Sequence, residues 1–280
     1  MTGKHALITG GSSGIGLAIA HLLWQQGYHL TLIARQRQGL ETARDQLQHL
    51  AQLESQRILI FNVDVSQPAS LHHAIQQASQ EISPIDVLVN CAGICTPGHF
   101  LEQPLDIFEQ TMAVNFYGSL YAARAVLPAM KERGQGQIIF VSSGVGLIGL
   151  YGYCSYSPSK FAVRGLAESL RAEMQPYGIH ISIVYPPDTD TPQLARENLV
   201  KPWVTQKLSE TAQVLSAQQV AIATCKGMAA HRFMITPGLE MTLLGRLHSV
   251  IAPLLNCYFD RIIAKLLSHK KEEPPSSELP

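Results

Sequence analysis

The segment SSGVGLIGLYGYCSYSPSK spans residues 142–160 and joins a predicted strand at 137–141 to a predicted helix that begins near Tyr156. Tyr156 and Lys160 are four residues apart, so a helix places them on one face. Pro158 lies between them and suits only the first helical turn, where its missing N–H group costs nothing. The segment therefore predicts a βα unit with a tyrosine and a lysine at the start of its helix.

Tyr156 and Lys160 form a pair that can carry acid–base chemistry. An ammonium group beside a phenol favours the phenolate, so we expect Lys160 to lower the pKa of Tyr156. A tyrosine shifted in this way can exchange a proton with a substrate during catalysis. The same spacing also occurs in ordinary exposed helical pairs, which contribute about 0.2–0.5 kcal/mol. The rest of the chain must distinguish the two interpretations.

The composition is that of a neutral chain with enough apolar residues for a large core. Its 280 residues are 46% hydrophobic, which suits one large α/β domain or two small ones. The formal net charge of zero argues against a nucleic-acid partner and against bulk attraction to anionic lipid. The sequence has no run of about 18 uncharged apolar residues. The first predicted strand begins at His5, which leaves no room for a signal peptide.

The five cysteines favour free thiols over disulfides or a metal site. Their number is odd, and they form neither a C-x-x-C pair nor a set with histidines at zinc spacing. We therefore expect a reducing, cytoplasmic compartment and no bound metal. The cysteines are Cys91, Cys95, Cys154, Cys225 and Cys257.

Residues 5–24 predict a strand, a glycine-rich turn and a helix. The apolar run 5–9 precedes the turn GGSSGIG at 10–16, and apolar residues then recur at helical spacing. Glycines permit a sharp turn and close approach of a ligand, and a helix N-terminus offers N–H groups to a phosphate. The alternative is an ordinary βα turn that binds nothing.

Arg35 follows the second predicted strand, residues 29–34. Dinucleotide folds that prefer NAD place an acidic residue near this position to bind the ribose 2′-hydroxyl. A cation there suits a 2′-phosphate instead, which favours NADPH. The alternative is a solvated surface arginine.

Strands and helices alternate along the chain, which predicts a doubly wound parallel sheet. In such sheets ligands bind at the carboxyl ends of the strands. Five predicted strand ends carry small or polar residues, so we expect them to form one cleft. They are Gly10, Asp64, Asn90, Ser143 and Pro186.

Asn115 lies inside a predicted long helix at about 108–130. Asparagine is a poor helix former, and such local inconsistencies are expected at functional sites. The alternative is a surface asparagine that bonds to solvent.

Several motifs together resemble the short-chain dehydrogenases/reductases over roughly residues 4–195. Their order and spacing match the family, and Ser143 lies thirteen residues before the tyrosine, as the family's serine does. Cys91 replaces a second asparagine that is common in the family. The motifs are Thr9-Gly10-x-x-x-Gly14-x-Gly16, Asn90-x-Ala92-Gly93, Asn115, Ser143 and Tyr156-x-x-x-Lys160.

The resemblance implies a catalytic tetrad of Asn115, Ser143, Tyr156 and Lys160. In that family the tyrosine donates the proton, the serine bonds the ketone oxygen, the lysine also holds the nicotinamide ribose, and the asparagine supports a water chain. It also implies an NADPH site. The residues of that site are Gly10, Ser12, Ser13, Gly14, Ile15, Gly16, Arg35, Asp64, Val65, Asn90, Ala92, Gly93, Tyr156, Lys160, Pro186, Thr189 and Thr191.

A narrower resemblance is to the 3-ketodihydrosphingosine reductases. It rests on residues 156–171, on the loop Tyr-Pro-Pro-Asp-Thr-Asp-Thr-Pro at 185–192, and on Glu197-Asn198. It implies NADPH-dependent reduction of the 3-ketone of a lipid-like sphingoid base, at the cytosolic face of the endoplasmic reticulum in eukaryotes, by a homo-oligomer (dimer or tetramer). The alternatives are another lipophilic carbonyl, such as a steroid, retinoid or 3-ketoacyl chain, and an inactive nucleotide-binding regulator.

The chain divides into a single Rossmann domain at 1–235, a helical segment at 236–269 and a polar tail at 270–280 that we expect to be disordered. Within 239–267 apolar residues recur at helical spacing, and Pro253 should kink or split the helix. Interspersed charges argue against a membrane-spanning helix. The remaining interpretations are packing on the domain or a second subunit, peripheral contact with a membrane, and a lid over the substrate.

Overall fold

The structure is a computed structural model that describes residues 3–51, 53, 55–210 and 213–272. Within these residues the chain forms one parallel sheet between two layers of helices, followed by a long C-terminal helix. The predicted α/β doubly wound fold with a helical extension is confirmed.

The main sheet has seven parallel strands in the order β3-β2-β1-β4-β5-β6-β9. Its central strands are covered on both faces, which explains their nearly continuous apolar sequences. Two further strands, β7 and β8, pair in parallel as a small separate sheet. The strands are β1 His5–Thr9, β2 His29–Ala34, β3 Ile58–Asn62, β4 Val87–Asn90, β5 Gly136–Val141, β6 Ile179–Val184, β7 Thr189–Asp190, β8 Leu215–Ser216 and β9 Met234–Ile235.

Helices α3, α5 and α6 pack on one face of the sheet, and α1, α2 and α9 pack on the other. Each layer buries its own cluster of aliphatic side chains against the strands. The helices are α1 Gly14–Gln25, α2 Arg37–Gln48, α3 Pro68–Glu81, α4 Leu105–Met112, α5 Gly118–Arg133, α6 Ser157–Met174, α7 Pro192–Val200, α8 Trp203–Ser209, α9 Ala217–Ala229 and α10 Leu239–Glu272.

The strand order places the ends of β1, β4, β5 and β6 next to one another. Thr9 is in register with Asn90, Asn90 with Phe140, and Val141 with Val184. The loops that leave these four strands therefore meet at one edge of the sheet, where sequence analysis expects the ligand cleft.

The predicted long helix at about 108–130 is confirmed as a continuous helical segment, but its α-helical parts α4 and α5 are joined by the π-helical turn Ala113–Tyr117. Asn115 is the central residue of this turn and is 1% exposed. Single π turns are frequently found at functional sites. The inconsistency of a buried asparagine within a helix thus marks a real irregularity, and the surface alternative is excluded.

Helix α10 runs unbroken past Pro253, so of the two predicted effects of this residue, a kink or a split, the split is wrong. It also continues to Glu272, three residues beyond the expected boundary at 269, and residues 273–280 of the predicted tail lie outside the described part of the chain. The start of α10 packs on the domain through Met241, which is 7% exposed. Among the described residues, the structure has no helix with the length and hydropathy that a membrane span needs.

Candidate active site

The glycine turn after β1 brings the backbone close to the start of α1. Gly10 has a φ of 70° and Gly14 a φ of 56°, a region that only glycine enters readily. A Cβ at Gly16 would collide with the carbonyl oxygen of Gly10. Larger residues at these positions would open the turn, so the sequence is matched to a tight, exposed backbone loop.

The N-terminus of α1 is available to an anion. Ser13 is the N-cap residue but makes no side-chain capping bond, and the first turn contains no acidic residue. The first N–H groups of α1, from Gly14 and Ile15, therefore carry the partial positive charge of the helix end without a side-chain counterion.

Ser12 lies at the rim of an open cleft of about 690 Å³ between this turn and the start of α2. Arg35 stands nearby at the end of β2, where its carbonyl oxygen accepts a 2.7 Å hydrogen bond from Asn62 Nδ2. Its side chain is exposed and, among the described residues, makes no ion pair. Arg37, by contrast, pairs with Glu41 at 2.8 Å. Arg37 lines the cleft, whereas Arg35 directly precedes the lining residue Gln36, so a phosphate contact by Arg35 stays a prediction.

Asn90 ends β4 with a side chain that is 2% exposed, and neither Oδ1 nor Nδ2 has a hydrogen-bond partner among the described residues. The loop after it is tied to β1, because Thr9 Oγ1 accepts the backbone N–H groups of Cys91 and Ala92, both at 3.2 Å. The thiol of Cys91 accepts the N–H of Gly16 and burial raises its pKa to about 11. Cys91 thereby links the strand end to the glycine turn.

Asp64 and Val65 follow β3 at the same edge of the sheet. Asp64 Oδ1 accepts bonds from the N–H and hydroxyl of Ser66, at 2.9 and 2.8 Å. Val65 is 4% exposed, and its side chain packs against Gly118 at the start of α5. The side chain of Val65 therefore belongs to the core.

Asn115 holds three segments of the site together. Its Oδ1 accepts the N–H of Ile94 at 2.8 Å, and its Nδ2 donates to the carbonyl of Ile94 and to the hydroxyl of Ser159, both at 3.0 Å. A Cβ at Gly93 would lie 3.3 Å from Asn115 Oδ1. The side chain is occupied by protein partners, and its expected support of a water chain stays a prediction.

Ser143 and Tyr156 meet directly. The Ser143 hydroxyl hydrogen-bonds the Tyr156 phenol, which is 9% exposed. Ser143 also caps a short 3₁₀ turn at 144–146, where its Oγ accepts the N–H of Val145 at 3.4 Å. Ser142 points elsewhere and donates to the Lys160 carbonyl at 3.1 Å. The choice of Ser143 over Ser142 agrees with this geometry.

Lys160 lies one turn into α6, with its Nζ 5.4 Å from the centre of the Tyr156 ring. Nζ donates a 3.0 Å bond to the carbonyl of Val141 at the end of β5. Burial lowers the pKa of Lys160 to about 8, against the nearby Cys91, Cys95 and Glu197, which raise it. The ammonium is close to the phenol but is anchored to the strand end.

The expected depression of the Tyr156 pKa is wrong for this structure. Burial, followed by the charges of Cys95 and Glu197, raises the pKa of Tyr156 well above its usual value, and only the bond from Ser143 opposes this. Spacing in the sequence identifies a neighbouring cation but does not reveal how completely the phenol is removed from water. The phenol therefore keeps its proton at physiological pH.

The loop at 185–192 reaches across to the glycine turn. The carbonyl of Pro186 accepts the N–H of Gly144 at 3.0 Å, which fixes the loop beside Ser143. Thr189 donates to the Pro187 carbonyl at 2.8 Å. The methyl group of Thr191 would lie 3.1 Å from a Cβ at Gly14. The loop therefore lies between Ser143 and the start of α1.

Sequence analysis did not assign roles to Tyr153 and Glu197, which lie beside Tyr156. The rings of Tyr153 and Tyr156 are 6.0 Å apart, and the Tyr153 hydroxyl hydrogen-bonds the Glu197 carboxylate. Glu197 is the one buried residue of the short helix α7 and is 8% exposed. A nine-residue helix contains too few apolar repeats for periodicity to reveal that an acidic residue faces inward.

The fold and these strand-end residues define a dinucleotide-dependent oxidoreductase site, and comparison with known proteins names the family. A family model described as "short chain dehydrogenase" matches residues 4–201. The chain belongs to the short-chain dehydrogenase family. The resemblance inferred from the motifs is confirmed.

Within this family, the chain is similar to several individual proteins. The chain is similar to "3-dehydrosphinganine reductase" of Danio rerio, with 44% identity over 90% of this chain and 76% of the relative. It is also similar to "3-ketodihydrosphingosine reductase" of Dictyostelium discoideum, with 37% identity over 95% of this chain and 84% of the relative. A solved alcohol dehydrogenase of the archaeon Thermococcus sibiricus, complexed with 5-hydroxy-NADP, has a TM-score of 0.71 and 26% identity over 83% of this chain and 95% of its own.

Proposed function

We propose that this protein reduces the 3-ketone of 3-ketodihydrosphingosine to the corresponding alcohol with NADPH, a step of sphingolipid synthesis. The observation that carries the reduction is the contact of Ser143 with the protonated phenol of Tyr156, buried in the cleft at the strand ends. The substrate follows from the similarity to 3-ketodihydrosphingosine reductases over most of the chain.

The residues present fit NADPH. The glycine turn, where a Cβ at Gly16 would collide with the Gly10 carbonyl oxygen, and the uncapped N-terminus of α1 suit a pyrophosphate. The buried, unpaired polar atoms of Asn90 suit a ribose or ring amide at the strand edge. Arg35, with Ser12 and Ser13 nearby, would bind the 2′-phosphate. NADPH, when bound, supplies the hydride that reduces the ketone carbon.

The chain's own groups would serve the developing oxygen anion. Tyr156 donates its proton to the substrate oxygen, and its raised pKa keeps that proton available for reduction. Ser143 donates a hydrogen bond to the same oxygen and fixes its distance from the phenol. The ammonium of Lys160 would stabilise the negative charge that proton donation leaves on Tyr156. It would also hold the nicotinamide ribose. Asn115 positions α6 through Ser159.

Peripheral membrane contact through α10 suits a substrate that partitions into lipid. Exposed apolar side chains form one stripe along this helix, at spacings of three or four residues. The helix starts beside the site, because a Cβ at Gly144 would lie 3.2 Å from Met241 Cε. We propose that the stripe lies in the membrane interface and that the protein acts as a homo-oligomer. The stripe comprises Leu239, Leu243, Leu247, Val250, Leu254 and Tyr258.

Product analysis with purified protein tests the function. Incubation with 3-ketodihydrosphingosine in detergent micelles should oxidise one NADPH for each dihydrosphingosine formed. A steroid ketone, a retinal and a 3-ketoacyl thioester serve as competing substrates. A higher kcat/KM for any of these than for the ketosphingoid base would overturn the proposed substrate, and no turnover of any ketone would overturn the enzyme assignment.

A further inference from the structure

Glu197 places a buried carboxylate beside Tyr153, whose ring packs near that of Tyr156. Its side chain is 8% exposed on a helix whose other described residues are at least partly solvated. Burying a carboxylate is costly unless charge and hydrogen bonds compensate it. An apolar residue at this position of the helix would avoid that cost. The buried carboxylate therefore suggests a role in binding a ligand.

The protein supplies three hydrogen bonds to this carboxylate. Gln193 Nε2 donates to Oε1 at 2.8 Å, and the Cys95 thiol and the Tyr153 hydroxyl also bond to it. An ionised carboxylate has about four acceptor positions. These donors fix the orientation of Glu197 and leave acceptor capacity for one more group.

The charges around Glu197 favour an added cation. Lys201, with a side chain 3% exposed, is shared with Asp188, whose carboxylate lies 3.5 Å from its Nζ. Two carboxylates therefore share the ammonium of Lys201. Lys160 also interacts with Glu197, but its Nζ donates a hydrogen bond to the Val141 carbonyl at 3.0 Å.

Glu197 is separated from Tyr156 by one side chain, that of Tyr153. The Tyr153 side chain bridges the Glu197 carboxylate and the ring of Tyr156, and Cys95 packs in the same cluster. In a 2-amino-3-ketone, the carbon that bears the ammonium is bonded to the carbonyl carbon. When the substrate's ketone oxygen bonds to Tyr156 and Ser143, its ammonium would therefore lie close to the cluster of Tyr153, Cys95 and Glu197.

We propose that Glu197 is a specificity residue that binds the ammonium group on the carbon next to the substrate ketone. This inference rests on the proposed function, since it concerns how that substrate is recognised. The pair of carboxylates against Lys201 then selects α-amino ketones over neutral ketones. Tyr153 and Gln193 hold the carboxylate in place for this contact.

The test compares 3-ketodihydrosphingosine with its N-acetyl derivative and with octadecan-3-one, which has no amine. The Glu197→Gln variant keeps the size and most hydrogen-bonding capacity of the side chain and removes its charge. We expect kcat/KM for the amine to fall about 10- to 100-fold, as for loss of a charge-assisted hydrogen bond, mainly through KM. The values for the two neutral ketones should stay within about threefold of the wild-type values.

Two further variants separate charge recognition from a structural role. Tyr153→Phe removes one bond that positions Glu197 but keeps the carboxylate, so it should weaken the preference for the amine less than Glu197→Gln does. Glu81→Gln, at an exposed position on α3, is the matched control and should change nothing. If Glu197→Gln fails to fold, Glu197→Asp keeps the charge on a shorter side chain and should retain part of the preference.

Different results would contradict the role of Glu197 and the proposed function. If wild-type protein reduces the ketosphingoid base but Glu197→Gln leaves the amine-to-neutral ratio unchanged, Glu197 does not bind the ammonium. The same conclusion holds if all three substrates lose activity equally in a folded variant that still binds NADPH. If wild-type protein prefers an unrelated ketone, the proposed function fails instead.

Discussion

Asn115 Nδ2 lies 3.0 Å from the hydroxyl oxygen of Ser159, which in turn donates to the Tyr156 carbonyl at 2.7 Å. This chain of bonds connects the π turn between α4 and α5 with the first turn of α6. Asn115 therefore sets the position of the tyrosine-bearing helix relative to the end of β4.

Replacing Asn115 by Ala should lower both stability and turnover. The buried N–H and carbonyl of Ile94 would lose their partner, and each unsatisfied group costs about 1–3 kcal/mol. We expect the free energy of unfolding, measured by urea titration, to fall by at least about 2 kcal/mol. Asn256→Ala, exposed on α10, is the control and should have little effect. Unchanged stability in Asn115→Ala would contradict the bridging role.

Tyr156→Phe should abolish reduction while cofactor binding persists. The ring still fills its site between Tyr153 and Val145, but no proton can pass to the substrate. General acid catalysis typically contributes 10²–10⁴-fold, so the single-turnover rate should fall by at least about 100-fold. NADPH affinity, followed by fluorescence titration, should stay within about threefold. A variant that retains more than about a tenth of the wild-type rate would refute the assignment.

Arg35→Asp should exchange the cofactor preference. A carboxylate at the end of β2 would repel a 2′-phosphate and could accept a bond from a ribose hydroxyl. The ratio of kcat/KM for NADPH to that for NADH should drop by at least about tenfold. Arg44→Asp makes the same charge change on the outer part of α2 and should leave the ratio alone. Equal ratios in the two variants would rule out a phosphate contact by Arg35.

His5 should make the fold sensitive to acid. The ring is 0% exposed, its Nδ1 donates to the Ser83 carbonyl at 2.7 Å, and its Nε2 accepts from the Thr31 hydroxyl at 2.9 Å. The bond from Thr31 requires neutral imidazole, because a protonated Nε2 cannot accept it, and burial, assisted by nearby His29 and opposed by the Ser83 bond and Asp86, lowers the pKa to about 4 from 6.5.

The unfolded chain therefore binds this proton at a higher pH than the folded chain does. Stability from neutral His5 is complete above pH 6.5 and is lost as the pH falls towards 4, by about 3 kcal/mol in all. Urea titrations between pH 4 and 7 should show a smaller slope against pH in His5→Gln than in wild type. Parallel slopes would show that other groups cause the acid sensitivity.

The apolar stripe of α10 should govern vesicle binding. Leu243→Ser, Val250→Ser and Leu254→Ser together remove exposed apolar area without touching the site. Co-sedimentation with phosphatidylcholine vesicles should fall at least about fivefold, while turnover of a short, water-soluble ketone stays constant. A control triple variant changes exposed Leu53, Tyr177 and Ile222 to Ser. Equal loss in both triples would contradict a specific role for α10.

Sequence analysis predicted the fold well, because hydrophobic pattern and motif spacing determine it, whereas the assigned roles of the site residues stay predictions. Apolar runs marked β1 to β6, and the register of Asn90 with Phe140 places the ends of β4 and β5 at the same edge of the sheet, as a parallel sheet requires. The π turn was detectable only as an inconsistency at Asn115, since its geometry depends on bonds to Ile94 and Ser159 that join distant segments.

The electrostatics of the site could not be read from spacing. Tyr156 and Lys160 are neighbours as expected, yet burial raises the pKa of the phenol, and only the bond from Ser143 lowers it. Sequence analysis quoted Glu197 only as part of the reductase resemblance and gave it no role in the site, because its burial depends on contacts with Cys95 and Tyr153, which are far away in sequence. Such effects arise only when separate loops are packed together.

The site is built from segments that are far apart in the sequence, so these segments become available one after another during translation. Glu197 leaves the ribosome about forty residues after Tyr156, and β9 later still. At roughly 5–20 residues per second, the nascent chain spends several seconds with the edge of β6 unpaired and the pocket around Tyr156 open to water. Recombinant production should therefore benefit from lower temperature and added chaperone, and premature termination before β9 should yield aggregates that proteases remove.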